Sequence, residues 1–190
     1  MISPDMEVQW MNVKLGKVTT GPAIDLFREY THHMMKVKED CKEILFNPGE
    51  LKITDWRGWT DVKYIRKVEY PVPIWIKIFL NNQFVRVSGG EKIPVYTSTT
   101  PKKGFHGASV FSYELKAPCE FKHLVDFIRV RRALDQDGNP SEFIHPTVMV
   151  DDMYNSDFGY EIGTRSKFFN CNNVHIFGSD DIPERMEVSR

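Results

Sequence analysis

Residues 58–96 read GWTDVKYIRKVEYPVPIWIKIFLNNQFVRVSGGEKIPVY, and this stretch decides the fold. Within it, Ile74, Ile76 and Ile78 alternate with Trp75, Lys77 and Phe79. Asn81-Asn82 then turns the chain, and residues 84–87 return as Phe-Val-Arg-Val. Alternation with a period of two around a short Asn turn is typical of a β-hairpin. The stretch therefore predicts consecutive β-strands.

One helix is predicted upstream of this β-rich stretch, over residues 22–46. Pro22 suits a first helical turn, and Asn47-Pro48-Gly49 is a typical stop signal. Between them, apolar residues recur every three to four positions, which indicates one buried helical face. These apolar residues are Ile24, Phe27, Tyr30, Met34, Val37, Cys41, Ile44 and Leu45.

Further short strand candidates follow downstream of residue 96, separated by polar loops. They are residues 110–115, 148–150, 160–162 and 168–177. From Asp180 onward the chain is charged, which predicts a tail or the start of flanking sequence. We therefore expect a mostly β domain with one added α-helix over residues 1–179, followed by a charged segment over residues 180–190.

Composition and charge exclude several classes of protein. With 190 residues, of which 41% are hydrophobic, the chain is long enough to bury the core of one domain. A net charge of −1 creates no overall field that attracts nucleic acid or a membrane. The three cysteines form no CxxC pair, which favours free thiols in a reducing compartment. The first residues also lack the features of a signal peptide, so we expect a cytoplasmic protein. We expect neither a metal nor a cofactor.

Five short blocks along the chain carry a resemblance to a known family. Residues 2–8 (ISPDMEV) resemble x-S-x-D-T-x-V, and residues 87–92 (VSGGEK) resemble V-T-x-x-H. Residues 113–116 (YELK) resemble a-x-E-L-K, and residues 158–162 (FGYEI) resemble Y-D-x-E-V. Residues 167–178 (KFFNCNNVHIFG) resemble H-N-F-F-A-N-G-I-x-V-H-N. In this order the blocks resemble those of inteins, the protein-splicing domains that share the Hint fold with hedgehog-type autoprocessing domains.

The resemblance implies a Hint-type, pseudo-two-fold β horseshoe with one added helix, and it assigns each position of the splicing site. Splicing needs a nucleophile at the first residue, a His that protonates the leaving nitrogen, a final His-Asn pair, and a second nucleophile after it. The horseshoe also implies that residues 1 and 178 lie within ~5–10 Å of each other. The residues at the positions of the splicing site are Met1, Ser88, Glu91, Phe177, Gly178 and Ser179.

The residues that depart from the family pattern stand at the positions that carry out the splicing chemistry. Met1 is a thioether in place of the first nucleophile, Glu91 stands in place of the His, and Phe177-Gly178 stands in place of His-Asn. A further segment, residues 24–27 (IDLF), resembles the I-x-x-L-F that follows the opening strand in many phage inteins. We interpret the chain as a degenerate, phage-like intein that has lost splicing. Such a domain is expected to persist as a structural or regulatory insert in a larger phage protein that handles nucleotides or DNA. Its expected partners are the flanking domains of that protein, in the cytoplasm of the phage's host cell, and we expect a monomer.

Two alternatives remain open from the sequence. The first is an active autoprocessing enzyme with displaced residues, which uses Ser3 or Ser179 with His106 or His175. The second is a standalone β-rich phage module that binds nucleic acid weakly through a basic cluster. The residues of that cluster are Lys122, Arg129, Arg131 and Arg132.

Overall fold

The computed structural model describes the backbone over most of the chain. The described residues are 1–32, 35–38, 41–55, 58–81, 83–99, 110–131, 141–172, 174–177 and 186–189. Within these ranges the chain forms β-strands, one α-helix and one short 3-10 turn. Among the described residues, no helix is long and apolar enough to cross a bilayer.

The strands are short and follow one another with few interruptions. In chain order the elements are β1 (Glu7–Asn12), β2 (Lys17–Pro22), α1 (Ala23–Glu29), β3 (Met35–Lys38), β4 (Cys41–Leu45), β5 (Leu51–Asp55), β6 (Gly58–Val68), β7 (Trp75–Leu80), β8 (Gln83–Ser88), β9 (Ile93–Thr99), β10 (Val110–Lys116), the 3-10 turn Pro118–Glu120, β11 (Ile128–Arg131), β12 (Ser141–Ile144), β13 (Thr147–Val150), β14 (Gly159–Thr164), β15 (Phe168–Cys171), β16 (Val174–Phe177) and β17 (Met186–Ser189).

The hairpin that the sequence predicts is formed by β7 and β8. The two strands are antiparallel and pair in register from Trp75↔Ser88 to Leu80↔Gln83. At the turn, Asn81 has a positive φ of 57°, a conformation that Asn tolerates better than most residues. A third strand, β13, pairs with β7 on its other side. The alternation of residues 74–87 thus places one row of side chains in the core, and Ile78 and Val85 are fully buried there.

Strand β6 lies at the centre of the largest sheet. The sheet has the order β2-β1-β5-β6-β4-β3, and β14 also pairs with β6. The first part of β6 pairs with β5, and the part from Tyr64 to Val68 has β4 and β14 on its two sides. Its side chains at Val62 and Ile65 are buried. The remaining described strands form two smaller sheets, in the orders β17-β10-β9 and β12-β11-β16-β15.

The helix is much shorter than the sequence predicts. The prediction of residues 22–46 was wrong in its extent, because α1 ends at Glu29 and the chain continues as the hairpin β3–β4. The apolar spacing of this segment also fits a strand, and pairing of β4 with β6 adds a full ladder of backbone hydrogen bonds. Ile44 is fully buried and Leu45 is 55% exposed, so neighbouring side chains point to opposite faces, as in a strand.

The first three residues join two of the sheets. The backbone of Ile2 exchanges two hydrogen bonds with Tyr160 of β14, with N···O distances of 2.9 and 3.0 Å. On the opposite side, Ser3 N–H donates to Arg86 O at 3.1 Å, and Ser88 N–H donates to Met1 O at 2.9 Å. The amino-terminal segment therefore lies as a short extended strand between β14 and β8. Because Ile2 is fully buried, this segment is part of the core.

Candidate functional site

The structure brings three of the predicted site residues together at the amino terminus. The backbone nitrogen of Met1 donates a hydrogen bond to Ser88 Oγ at 3.2 Å and forms an ion pair with the carboxylate of Glu91. Ser88 ends β8, and the turn that follows carries Glu91 back toward Met1. Glu91 N–H donates to Ser88 O at 3.0 Å, which closes that turn. The turn of residues 88–91 therefore surrounds the nitrogen of residue 1.

This site is shielded from water. The side chains of Met1 and Glu91 are only 11% and 17% exposed, and Ser88 is buried. Partial burial weakens the screening of a charge pair by solvent, so the attraction is stronger than that between two exposed charges. Among the described residues, the basic neighbour Lys92 instead pairs with Glu120, with an N···O distance of 3.2 Å.

Gly159 lies close to residue 1 and packs against Trp75, although the sequence interpretation assigned neither residue to the site. A Cβ atom added to Gly159 would lie 2.8 Å from Cη2 of Trp75, 3.0 Å from Ile2 O and 3.1 Å from Met1 Cβ. Only glycine therefore allows the start of β14 to approach the first two residues so closely. The sequence did contain one signal for Gly159. In the block FGYEI this glycine stands where the pattern Y-D-x-E-V has an acidic residue.

A buried charged network adjoins the same segment and was not predicted. Arg86, on β8, is 6% exposed, and its guanidinium donates from Nε to Asp151 Oδ2 at 2.8 Å and from Nη1 to Asp5 Oδ2 at 2.7 Å. Asp5 also accepts a hydrogen bond from Ser3 Oγ at 2.7 Å. The guanidinium lies over the Tyr154 ring, 3.8 Å from its centroid. Arg86 thus connects the amino-terminal segment, β8 and the loop after β13.

The pKa values of this network follow from burial and charge pairing. Burial alone raises the pKa of the Asp151 carboxyl, but hydrogen bonding and attraction to Arg86, assisted by Lys77, lower it below its ordinary value. For Asp5, hydrogen bonds from Ser3 and Arg86 likewise outweigh burial and lower the pKa. Burial, followed by the hydrogen bond to Asp5, raises the pKa of Tyr154 to about 12. Both carboxylates are therefore held in their charged form.

The remaining positions of the predicted splicing site are only partly described. The backbone of Phe177 ends β16 and pairs with Phe168 of β15, but its side chain, Gly178 and Ser179 lie outside the described residues. The predicted proximity of residues 1 and 178 therefore stays a prediction.

The alternative of an active enzyme with displaced residues uses Ser3 or Ser179 with His106 or His175. Of these four residues, the structure describes only the side chain of Ser3. Ser3 is fully buried, and its hydroxyl donates to Asp5. His106 lies outside the described residues, and only the backbone of His175 is described, in β16.

Of the predicted basic cluster, the structure describes the side chains of Lys122 and Arg129 only. Lys122 is exposed, and its backbone N–H donates to Asp126 Oδ2 at 2.7 Å. Arg129 is buried, with its guanidinium 6.0 Å from the Tyr96 ring and 5.8 Å from the Phe143 ring. Only the backbone of Arg131 is described, in β11, and Arg132 lies outside the described residues. Arg129 is thus buried against aromatic rings, and binding of nucleic acid by the cluster stays a prediction.

The part of the chain that the structure describes contains no group of three or more His, Cys, Asp or Glu side chains placed to hold a metal ion. Asp151, which the sequence places in an acidic run, is a partner of Arg86 and Lys77.

Three solved structures are similar to this chain over nearly its whole length. The transcription factor IIB Mvu mini-intein has a TM-score of 0.69 at 9% sequence identity, covering 93% of this chain and 99% of its own. An intein from a hyperthermophile has a TM-score of 0.66 at 11% identity, with coverages of 93% and 98%. The Pab PolII intein, solved by solution NMR, has a TM-score of 0.63 at 14% identity, with coverages of 94% and 100%.

These comparisons establish the fold. No family model and no curated protein sequence matches the chain, so the likeness is one of structure at low sequence identity. The chain has the intein fold, and the predicted Hint-type β horseshoe with one added helix is confirmed. A shared fold leaves the activity to be argued from the residues of the site.

Proposed function

We propose that this chain is an intein-derived Hint domain that has lost protein splicing and persists as a structural or regulatory insert of a larger protein. The observation that carries the proposal is the position of the Glu91 carboxylate, which lies against the backbone nitrogen of Met1. This nitrogen is the atom that must leave when the peptide bond before residue 1 is broken. The residue beside it, Glu91, carries a carboxylate and stands at the position where the intein pattern has a His.

The first step of splicing explains why this exchange matters. In that step, a thiol or hydroxyl of residue 1 attacks the carbonyl carbon of the preceding residue, the C–N bond breaks, and the nitrogen takes up a proton. Met1 has a thioether, which has no proton to lose and forms no stable ester. The carboxylate of Glu91 accepts a hydrogen bond from this nitrogen, whereas the His of the intein pattern donates a proton to it. Neither residue therefore supplies the group that would break this bond.

At the downstream junction, the residues that splicing requires are absent from the sequence. Release of that junction requires a side-chain amide that attacks its own backbone carbonyl and closes a succinimide. Gly178 has no side chain, and Phe177 has no group that transfers a proton. A domain that neither opens its upstream bond nor releases its downstream bond remains within its polypeptide.

The setting of the domain follows from the same resemblance. Inteins sit within host proteins, frequently phage or nucleotide-handling enzymes, and the resemblance of the blocks extends to phage inteins. We therefore propose a phage protein that handles nucleotides or DNA as the host. Its flanking domains are the partners, the host-cell cytoplasm is the location, and the inserted domain is a monomer.

A splicing assay tests this function directly. The chain, with its natural flanking residues, is placed between two reporter domains and incubated with and without thiol, and the products are analysed by gel and intact mass. We expect one unspliced product of full length. A splicing-competent intein between the same reporters serves as the positive control. Ligated reporters from the unmodified chain would overturn the proposal in favour of an active autoprocessing domain.

A further inference from the structure

A cavity with a volume of about 480 Å³ lies beside the turn between β1 and β2 and the segment between β4 and β5. Its volume falls in the range of about 300–1,000 Å³ that is typical of small-molecule sites. The two chain segments are joined directly, because Val13 N–H donates to Glu50 O at 3.2 Å. None of the residues that line the cavity belongs to the site around Met1. The cavity is therefore a separate feature of the fold.

One wall of the cavity is apolar and aromatic. Tyr30, which directly follows α1, is 6% exposed and packs edge-on against the ring of Phe46. The two ring centroids are 5.1 Å apart and the ring planes are inclined by 85°. Leu45 adds an aliphatic side chain that is 55% exposed. Because solvent reaches this wall, an apolar group that enters the cavity would remove hydrated apolar surface, and a further ring would add edge contacts.

Two side chains of opposite charge line the same cavity and do not form an ion pair with each other. Lys14, in the turn between β1 and β2, forms no ion pair within the described part of the chain. The carboxylate of Glu50 accepts from the backbone N–H of Asn47 at 2.9 Å and from Asn47 Nδ2 at 3.1 Å. These donors are neutral, so they hold the carboxylate in place without cancelling its charge. A carboxylate has about four acceptor positions, which leaves room for a further donor.

We propose that this cavity binds a free α-amino acid with an aromatic side chain. The side chain packs against Leu45, Tyr30 and Phe46, the α-carboxylate pairs with the flexible ammonium group of Lys14, and the α-ammonium group pairs with Glu50. A zwitterion satisfies both charges of the cavity, whereas a simple acid faces Glu50 and a simple amine faces Lys14. The inference goes beyond the loss of splicing, because it concerns a small-molecule site that involves neither splice junction.

The first experiment compares three probes by following the backbone amide resonances of the ¹⁵N-labelled chain. L-phenylalanine is the zwitterion, 3-phenylpropionate lacks its ammonium group, and phenethylamine lacks its carboxylate. We expect L-phenylalanine to give saturable shifts centred on residues 12–14 and 45–50. It should bind at least about fivefold more tightly than either analogue, a factor that corresponds to ~1 kcal/mol. Equal affinities for the three probes, or the absence of saturable shifts with L-phenylalanine, would overturn the proposal.

The second experiment assigns the two charged groups. Lys14→Gln should weaken the binding of L-phenylalanine about fivefold, or by ~1 kcal/mol, and leave that of phenethylamine nearly unchanged. Glu50→Gln should weaken L-phenylalanine to a similar degree and spare 3-phenylpropionate, which has no ammonium group. Lys122→Gln is the matched control, because Lys122 is exposed and does not line the cavity. If Lys14→Gln weakened L-phenylalanine and phenethylamine equally, the assignment of the carboxylate to Lys14 would be wrong.

The third experiment tests the apolar wall. Leu45→Ala should weaken all three probes, because each carries the same phenyl ring. Leu124→Ala, at a position that is 67% exposed and does not line the cavity, should leave their binding unchanged. Equal binding by the parent chain and Leu45→Ala would contradict the proposal. If Glu50→Gln does not fold, the variants at Lys14 and Leu45 decide, since both positions are exposed. The splicing assay is independent of these results, so either inference can fail while the other stands.

Discussion

The carboxylate of Glu91 pairs with the backbone nitrogen of Met1, although the two residues are 90 positions apart in the chain. The pairing depends on the first residues lying between β8 and β14, since Ser88 N–H donates to Met1 O and Ile2 bonds to Tyr160. The fold thus positions residue 1 through the backbone, independently of its side chain. A chain can therefore lose the reactive groups of such a site and keep its geometry.

Arg86 should be among the most sensitive positions for stability. Replacing it by Met removes the hydrogen-bonded partner of the buried Asp151 carboxylate, which keeps only the more distant Lys77 at 3.6 Å, and one partner of Asp5. Breaking a buried ion pair by removing one partner costs about 3–5 kcal/mol. We expect Arg86→Met to lower the free energy of unfolding by that amount in urea titrations.

The matched control for Arg86→Met is Lys92→Met, which removes a basic residue from an exposed pair with Glu120. Its expected effect is within about 1 kcal/mol. Comparable losses for the two variants would show that the Arg86 network contributes no more than a surface pair. Adding Asp151→Asn to Arg86→Met should recover part of the loss, because the unpaired charge is then removed.

The same network predicts the response of the fold to acid. The pKa values of Asp151 and Asp5 are lowered in the folded chain, because hydrogen bonding and attraction to Arg86 outweigh the effect of burial. A lowered pKa contributes stability that is present above the unfolded-state pKa of about 4 and is lost as pH falls through the folded-state value. We expect the urea midpoint to decrease as the pH falls below about 4, with a shallower decrease in Asp151→Asn. Parallel curves for the two proteins would contradict this assignment.

Ile44 and Leu45 distinguish the observed strand from the predicted helix. In β4 these neighbours point to opposite faces, and Ile44 is fully buried whereas Leu45 is largely exposed. Ile44→Ala should therefore lower the free energy of unfolding by about 2–5 kcal/mol, the cost of a large-to-small change in a core. Leu45→Ala should change it by no more than about 0.5 kcal/mol. Losses of similar size at both positions would indicate that the two side chains share a buried helical face.

The sequence predicts the hairpin of β7 and β8 because the pattern that identifies this hairpin is local. Alternation between residues 74 and 87 needs only the neighbouring strand, and the structure pairs β7 with β8 in that register. The segment after Glu29 carries an apolar spacing compatible with a helix or a strand, and pairing with β6 decides between them. Pairing between segments that are distant in the sequence cannot be inferred from the periodicity of one short stretch.

The candidate site was predictable only in part for a similar reason. Ordered blocks place Met1, Ser88 and Glu91 at corresponding positions of a known fold, and the structure brings these three residues together. The Arg86 network has no local pattern, because its carboxylates come from residue 5 and residue 151. The close approach of Gly159 to Met1 also requires the three-dimensional arrangement of the amino-terminal segment and β14.

Restoring the chemical groups of the splicing site should restore the reaction only to a limited degree. Met1→Cys supplies a nucleophile, but Glu91 still stands in place of the His that protonates the leaving nitrogen, and Gly178 still has no side-chain amide. Catalytic groups that act as a unit contribute non-additively, so one group returned alone recovers little activity. We expect Met1→Cys with natural flanks to give no ligated product by gel and mass analysis. With Glu91→His, Phe177→His and Gly178→Asn added, we expect at most slow cleavage at one or both junctions. Efficient ligation by Met1→Cys alone would show that Glu91 and Gly178 do not block splicing.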